Sequence, residues 1–495
     1  MIDTSNEYGR MFERLARALH NRRTGRVGNR TWASARAQIN PERVRPGLDA
    51  LEDYRHGDPP LRADIHTGWK PYVRKFVRMG RLNMADLLIT STANRLQLRD
   101  FRTSAADDEL GDVEARKIMR ANGMKVVARD VTEMALAMGD SYTLVTPPGA
   151  RRPQSLITAE DPRQVITSHN AATGAGEWGL KLFRSEWDDE DLAYLYAPDG
   201  LILPARLGGG TSIRRGPFRF DPKAWTWDDE KKEQTPTGDF PLTRFRNRDG
   251  VGEFEKHLDT LDRINDKIFD EWWIAKIQAF RQRAVKNLPE TKEVERDGQL
   301  VEEPVAADEY DDMFTSSPDE MWQVPGDVDF WESTPVDLTP ITNAIEKDRQ
   351  RLAANTSTPL HTITPDAAAG SAEGASLLRE EHTFKCEDRR DRFDPSWART
   401  MSLAFLFQGE ADRGDVTQIE PQYAPIVRHS LTEKGSAASQ AVSTLPREII
   451  QRDIWQYEPS EILELRKLQG RDVLFQTPSQ GAGALPRTGT AGGSQ

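Results

Sequence analysis

Three stretches of the chain carry residue types whose spacing could do chemistry. Gly174-Ala175-Gly176-Glu177-Trp178-Gly179-Leu180-Lys181 has the glycines and the lysine of a phosphate cradle. Such a loop needs its Lys and a Ser or Thr directly after the last glycine, so that backbone N–H groups and the ammonium converge on the phosphate oxygens. Here the Lys is displaced, no hydroxyl follows, and the surroundings read as a strand, so a nucleotide site is disfavoured. Gly139-Asp140-Ser141-Tyr142-Thr143 offers a serine at a turn. A nucleophile elbow runs from strand to helix and carries a second glycine; this turn runs from helix to strand and lacks it. His257 and His382 each sit among carboxylates, with no second His or Cys at ligand spacing, and read as surface histidines. Asp308, Glu309, Asp311 and Asp312 could be imagined around a divalent cation. Metal-dependent nucleases hold their carboxylates on rigid strands; these four lie in a Pro-flanked acidic run and read as solvated. No catalytic residue, metal or cofactor is expected.

The elements that carry these residues belong to a long and polar chain. It has 495 residues, 37% of them hydrophobic and 29% charged, with a formal net charge of −12. That length implies two or more packed regions. The low apolar content implies either much solvated linker or an elongated subunit with little interior of its own. Twelve Trp argue against a disordered chain. No window holds the ~18 apolar residues of a membrane span, and MIDTSNEYGRMFERLARAL lacks the apolar core of a secretory signal. Cys386 is the single cysteine, which leaves no intrachain disulfide and no multi-cysteine metal site. An acidic chain repels nucleic acid over most of its surface.

Along the chain, residues 1–40 are polar and Arg-rich and predict a mobile basic arm, with a surface or nucleic-acid contact as the lesser reading. DLLITSTANRLQL predicts a helix opened by Asp86. Met124, Ala128, Val131, Ala135 and Met138 recur at helical spacing, Gly139 stops that helix, and SYTLV follows as a strand. Residues 156–247 are β-rich, with a hairpin turn at Pro198-Asp199-Gly200. The longest helix is predicted over 253–285, lined by Phe254, Leu258, Leu261, Ile264 and Ile268; at ~1.5 Å per residue it would reach about 50 Å. An acidic segment, 286–334, carries Trp322 and Trp331, and its ends MWQV and VDFW predict short strands. A second helix spans 338–356. Residues 361–374 are small and flexible. The following stretch, Arg379 to Arg392, is so charged that it has almost no apolar face, which predicts that other copies of the chain complete its packing. SWARTMSLAFLFQG continues as helix over 396–409. Pro446 and Ser460 mark later helix starts, and residues from 477 on read as a disordered tail.

The order of these segments resembles the portal proteins of tailed bacteriophages, in particular the Bacillus-phage-type family found in actinobacterial siphophages. GMKVVARDVTEMALAMGDSYTLV is similar to that family's helix–Gly–strand. DFPLTRFRNRDGVGEFEKHLDTLDRINDKIFDEWWIAKIQAFRQR resembles its strand leading into a long stem helix with a central Asp and Asn, here Asp262 and Asn265. Thr358-Pro359 and Ser371-Ala372-Glu373-Gly374-Ala375 resemble the entry to its tunnel loop. The likeness covers roughly residues 80–475. It rests on the ordered set, and the acidic insert and the N-terminal 40 residues bear no family motif.

The resemblance implies an α+β, mainly helical portal fold with a β-containing wing, a long-helix stem, a small clip and a helical crown. Laid on this chain, 1–40 is a mobile arm and 41–250 the wing. Residues 251–285 and 335–356 are stem helices, and 286–334 is the clip. The tunnel loop is 357–374, wing helices fill 375–435, the crown is 436–475, and 476–495 is the disordered tail. It further implies a homo-oligomeric ring, a dodecamer, at the capsid vertex of the virion, assembled in the host cytoplasm. Double-stranded DNA passes its channel without sequence specificity. Its other partners are the large terminase, the major capsid and scaffolding proteins and a head-completion or adaptor protein, with no membrane. Thr364, Asp366, Gly370, Ser371, Glu373 and Gly374 would line the channel. Asp308, Glu309, Asp311, Asp312, Trp322 and Trp331 would form the docking surface. A ring whose every copy carries −12 lets phosphate slide rather than bind. The competing readings are a head–tail adaptor or minor head protein, which are usually shorter and lack the helix pair, and a packaging enzyme, which needs the phosphate loop missing here.

Overall fold

The structure, a computed structural model, describes residues 2–27, 30–32, 44–59, 75, 77–104, 111–185, 190–207, 224–279, 283–287, 290–296, 298–305, 329–332, 334, 336–364, 372–427, 431–457 and 459–476. It is a mixed helix-and-sheet chain in two compact units. The first comprises Met1–Asp64, Asn83–Asp259 and Leu352–Gln495; the second comprises Ile65–Leu82 and Thr260–Arg351.

Helices of the first unit are α1 (Glu7–Thr24), α2 (Leu48–Arg55), α3 (Met84–Ala93), α4 (Val113–Ala121) and α5 (Met124–Met138). Two long helices, α6 (Leu258–Ala279) and α7 (Thr339–Asn355), begin and end across the division between the units. The short α8 (Leu360–Ile363), the 36-residue α9 (Ala372–Phe407), α10 (Leu431–Ala441) and α11 (Pro459–Gln476) follow, with a further helical segment over Arg447–Ile449 and Ile450–Ile454.

The main strands of this unit are β1 (Leu98–Arg102), which pairs antiparallel with Glu420–Tyr423, β2 (Asp140–Thr146), β3 (Leu156–Glu160), β4 (Val165–His169), β5 (Gly176–Ser185), β6 (Glu190–Tyr196), β7 (Leu201–Leu207), β8 (Trp225–Trp227) and β9 (Leu242–Arg246). An antiparallel sheet runs β9–β2–β3, and a larger one runs β8–β7–β6–β5–β4 with Glu233–Gln234 also on β7. The β6–β7 hairpin turns at Gly200, whose φ of 78° is the left-handed conformation that suits glycine.

The helix predicted from Met124 to Met138 is present with those bounds, and its five periodic residues are all buried. Gly139 ends it at φ 88°. An added Cβ there would fall 2.2 Å from the Gly250 carbonyl oxygen, so both the turn and the close approach need glycine.

Residues 7–24 depart from the expected mobile arm. They fold as α1, capped by the Asn6 side chain and ended by Gly25. Phe12, Leu15, Ala16 and Leu19 are almost fully buried against Trp178, Leu180, Leu195, Leu203 and Trp225 of the larger sheet. The reason is a stripe at i, i+3, i+4 and i+7, hidden in the sequence by the arginines between.

The helix expected over 253–285 is shorter. A 3-10 turn at Glu255–His257 precedes α6, which has 22 residues and is about 33 Å long. Residues 283–286 are instead a strand, β10 (Arg283–Lys286), which pairs antiparallel with β13 (Asp329–Glu332). Between them β11 (Thr291–Arg296) pairs with β12 (Gln299–Pro304). The predicted VDFW strand is therefore β13, while MWQV lies outside the described residues. The tail from 477 and residues 33–40 also lie outside them.

In the second unit, α6 and α7 run antiparallel. Arg263, Lys267 and Arg351 all reach the Asp348 carboxylate, at 2.9, 2.7 and 3.2 Å. Hydrogen bonds from Arg263 come first in holding that carboxyl far below the usual range. Thr342 Oγ1 donates to Glu271 at 2.7 Å, and Ile264, Ile268 and Ile345 supply the apolar part.

α9 is one continuous helix that already starts at Ala372, where a flexible loop through residue 374 was expected. It contains Pro395 and joins two different environments. Its last part packs on the β9–β2–β3 sheet: Trp397 lies 4.4 Å from Phe245, ring centroid to centroid. Ser396 donates to the Arg244 carbonyl at 2.8 Å, and Ser155 donates to that of Ala404 at 2.9 Å. The charged part is also packed within the chain. His382, Cys386, Arg389 and Phe393 are buried at spacings of four, three and four, one face of a helix. The expectation that other copies supply that face does not hold for it; the face exists, but half of its members, His382 and Arg389, are polar.

Candidate functional site: the clasp on α9 and the expected channel and docking residues

The charged part of α9 reaches three other segments of its own unit. Glu253, just before the 3-10 turn that starts α6, is buried between two cations of α9. Lys385 Nζ stands 3.0 Å from one carboxylate oxygen and Arg389 Nε 2.7 Å from the other. Asn247 Nδ2 adds a third donor at 3.1 Å. Burial by itself would raise the Glu253 carboxyl, but Lys385 and Arg389 outweigh it and hold it at about 2.

The second segment is the turn after α7. Lys385 Nζ also donates to the Thr356 carbonyl at 2.8 Å, and Ser357 Oγ donates to Glu381 at 2.8 Å. Ser357 has φ 49°, unusual for a residue with a side chain. His382 Nδ1 lies 2.9 Å from the Ser357 carbonyl, and its Nε2 lies 3.4 Å from that of Ser91 on α3. Burial pushes the His382 imidazole down to about 4; the Ser357 hydrogen bond opposes this, and Lys385 and Arg95 add to it. His382 is therefore neutral at pH 7 and donates one of its two nitrogens. Burial raises the neighbouring Cys386 thiol to about 11, which leaves it unreactive.

A polar cavity of about 440 Å³ opens beside this clasp, lined by Lys256, His257, Ser357, Phe384, Lys385 and Asp388 among others. Burial, then Lys385 and Lys256, lower the His257 imidazole. Phe384 on its rim is 61% exposed. Among the described residues no three His, Cys, Asp or Glu side chains gather in a way that could hold a metal ion. No helix among them is long and apolar enough to cross a membrane.

The other residues considered for chemistry are occupied structurally. Ser141 Oγ is buried and donates to the Val131 carbonyl at 2.7 Å. Lys181 lies within strand β5 and pairs with Glu160 at 2.8 Å.

The expected channel and docking residues are not brought together as one described site. Thr364 follows α8 and closes it, its N–H donating to the Leu360 carbonyl at 2.7 Å. Asp366, Gly370 and Ser371 lie outside the described residues. Glu373 and Gly374 belong to the first turn of α9 rather than to a loop, because the helix starts at Ala372. Asp308, Glu309, Asp311, Asp312 and Trp322 also lie outside the described residues, and Trp331 sits on β13 opposite Ala284. Asp262 and Asn265 are on α6 as expected, and Asn265 Oδ1 accepts from the Leu82 N–H at 2.9 Å. The Glu253–Lys385–Arg389 clasp was missed: its partners are more than a hundred residues apart, and nothing local marks a glutamate that will be buried.

This is the make-up of a structural subunit: long paired helices around an inserted acidic segment, and polar side chains committed to holding segments together. The sequence model of the family described as "Phage portal protein, SPP1 Gp6-like" matches residues 42–472. The chain belongs to that family and is a phage portal protein, a virion component at the capsid vertex. No curated protein matches it. Among solved structures, a chain of the "Virion of native gene transfer agent (GTA) particle" is 12% identical with a TM-score of 0.39, the match covering 82% of this chain and 92% of that one. A chain of the "Neck of empty GTA particle computed with C6 symmetry" is 13% identical with a TM-score of 0.41, covering 77% and 93%. A chain of the "Neck of native GTA particle computed with C12 symmetry" is 12% identical with a TM-score of 0.40, covering 78% and 94%.

Proposed function

We propose that this portal protein assembles as a homo-oligomeric ring, a dodecamer, whose channel passes double-stranded DNA during packaging and ejection. It works without catalysis of its own and assembles in the host cytoplasm before becoming part of the virion. The observation that carries this reading is the portal-family match across nearly the whole chain, from 42 to 472. The α6–α7 pair supports it: helices tied by charge around Asp348, with the acidic segment inserted between them, suit a subunit that spends its chain length on an extended stem. In this reading 286–334 docks the large terminase and later the head-completion protein, capsid and scaffolding proteins hold the ring's periphery, and 364–374 faces the bore.

Negative-stain microscopy and mass measurement of the purified full chain test it. A closed ring with a central opening is expected, without ATP turnover. A monomer or dimer at micromolar concentration overturns the ring, and turnover abolished by a point substitution in this chain overturns the non-catalytic role. Replacing Asp308, Glu309, Asp311 and Asp312 by Asn or Gln should weaken terminase binding and flatten its salt dependence; unchanged binding across salt removes the docking assignment.

A further inference from the structure

We propose that the outer face of α1 is a contact for the phosphate backbone of duplex DNA, separate from the expected channel loop. Residues 1–45 hold ten arginines, no lysine and four carboxylates, in a chain whose net charge is −12. Three of those arginines, on α1 or just before α2, are turned to internal work. Arg22 donates to the carbonyls of Pro46 and Met138, Arg23 pairs with Asp49 at 3.2 Å, and Arg45 pairs with Glu255 at 2.8 Å. Arg17 has Glu13 beside it at 2.6 Å but remains 69% exposed.

Arg10 and Arg14 are exposed and have no acidic partner among the described residues. At ~100° per residue, Arg10, Arg14 and Arg17 fall within about 60° of arc, a single line along roughly 10 Å of helix. Glu7 and Glu13 flank that line on either side. The opposite face is anchored by Phe12, Leu15, Ala16 and Leu19, which bury it in the larger sheet. The three guanidiniums are thus held in line by a packed helix, and little backbone ordering remains to oppose binding.

Arginine rather than lysine suits phosphate, because its planar fork can give two parallel hydrogen bonds to one phosphate group. The portal reading enters only in naming the polyanion that such a protein works beside. α1 also lies before the residues that the family model matches, 42–472.

The test uses the purified full chain, a fluorescein-labelled 30-base-pair duplex and fluorescence anisotropy between 50 and 200 mM NaCl. The Arg10→Gln/Arg14→Gln/Arg17→Gln variant should lose about 0.9 of the log K against log salt slope per arginine. Across that fourfold salt range, the parent then loses roughly 40-fold more affinity than the variant. The control Arg120→Gln/Arg151→Gln, exposed arginines on other segments, should leave the slope unchanged. An unaltered melting temperature of the triple variant shows that the fold is kept. Three results overturn the proposal: no duplex binding by the parent at 50 mM, equal slopes for parent and triple variant, or equal losses in triple variant and control. Binding to empty capsids that depends on these arginines, without duplex binding, also overturns it and assigns the face to an acidic protein surface. Ring formation is read separately by mass, so its failure and the failure of this contact remain distinct.

Discussion

The two parts of α9, on either side of Pro395, are held in place by different physics. After the proline, Trp397, Met401, Leu403, Ala404 and Phe405 are at most 1% exposed in the main apolar cluster. Before it, the helix is fixed by Glu253 between Lys385 and Arg389, and by His382 and Lys385 on the carbonyls of Ser357 and Thr356. The apolar part gains from area removed from water and tolerates imprecise geometry. The charged part recovers its desolvation only through close, directed contacts, so losing one partner strands the others. One helix can therefore bury a face in both of its parts and still fail in two different ways.

Four substitutions separate the two modes. The largest effect is expected from Trp397→Ala, about 3–5 kcal/mol by urea denaturation of the full chain, independent of pH between 4 and 8. A loss below 1 kcal/mol would mean that the apolar cluster does not hold this part. Glu253→Gln comes next, about 3 kcal/mol at pH 7, because two buried cations lose their counter-charge. In the parent, the Glu253 carboxyl is depressed from 4.5 to about 2 in the fold, so its stabilisation is complete above pH 4.5 and is lost as pH falls through about 2. The variant should show a flatter acid limb, and an identical limb breaks the contrast.

His382→Phe should cost about 1–2 kcal/mol at pH 7, since the Ser357 carbonyl loses its donor. The unfolded imidazole protonates near 6.5 and the folded one only at about 4, so the parent loses stability as pH falls across that window. The Phe variant should lose that slope, and retention of it would assign the slope to another group. Phe384→Ser, at the exposed rim of the cavity, should change melting by no more than about 0.5 kcal/mol. A larger loss in the isolated subunit would show that Phe384 is packed after all.

What could be read from the sequence follows the same division. Met124, Ala128, Val131, Ala135 and Met138 announce α5 because an apolar period reports burial directly, and Gly139 announces its end because few residues tolerate that φ. The β-rich region and the α6–α7 pair were legible for like reasons. α1 was not: Phe12, Leu15 and Leu19 are outnumbered by arginines whose aliphatic neighbours supply the burial, and composition averages that away. The buried face His382–Cys386–Arg389–Phe393 is not legible as a face, since a polar side chain carries no local sign that it will be buried. Its partner Glu253 lies 132 positions before Lys385, and pairing at such range has no local signature. The expected channel and docking residues rested on resemblance; of these Glu373 and Gly374 proved helical, and most of the others lie outside the described residues.

Pro395 has a consequence for how α9 opens. Its ring nitrogen carries no hydrogen, so the Asp391 carbonyl has no i+4 backbone donor and the hydrogen-bonded ladder of the helix is missing one rung. Opening that starts in the charged turns then meets a discontinuity before it reaches Trp397. Amide exchange should accordingly resolve this single helix into two cooperative blocks, the residues before 395 exchanging through smaller openings and those after it only with the apolar cluster. A strain applied at the Ala372 end would be dissipated at the proline, much as a scored rod bends at its notch, and the sheet-bound end would keep its register.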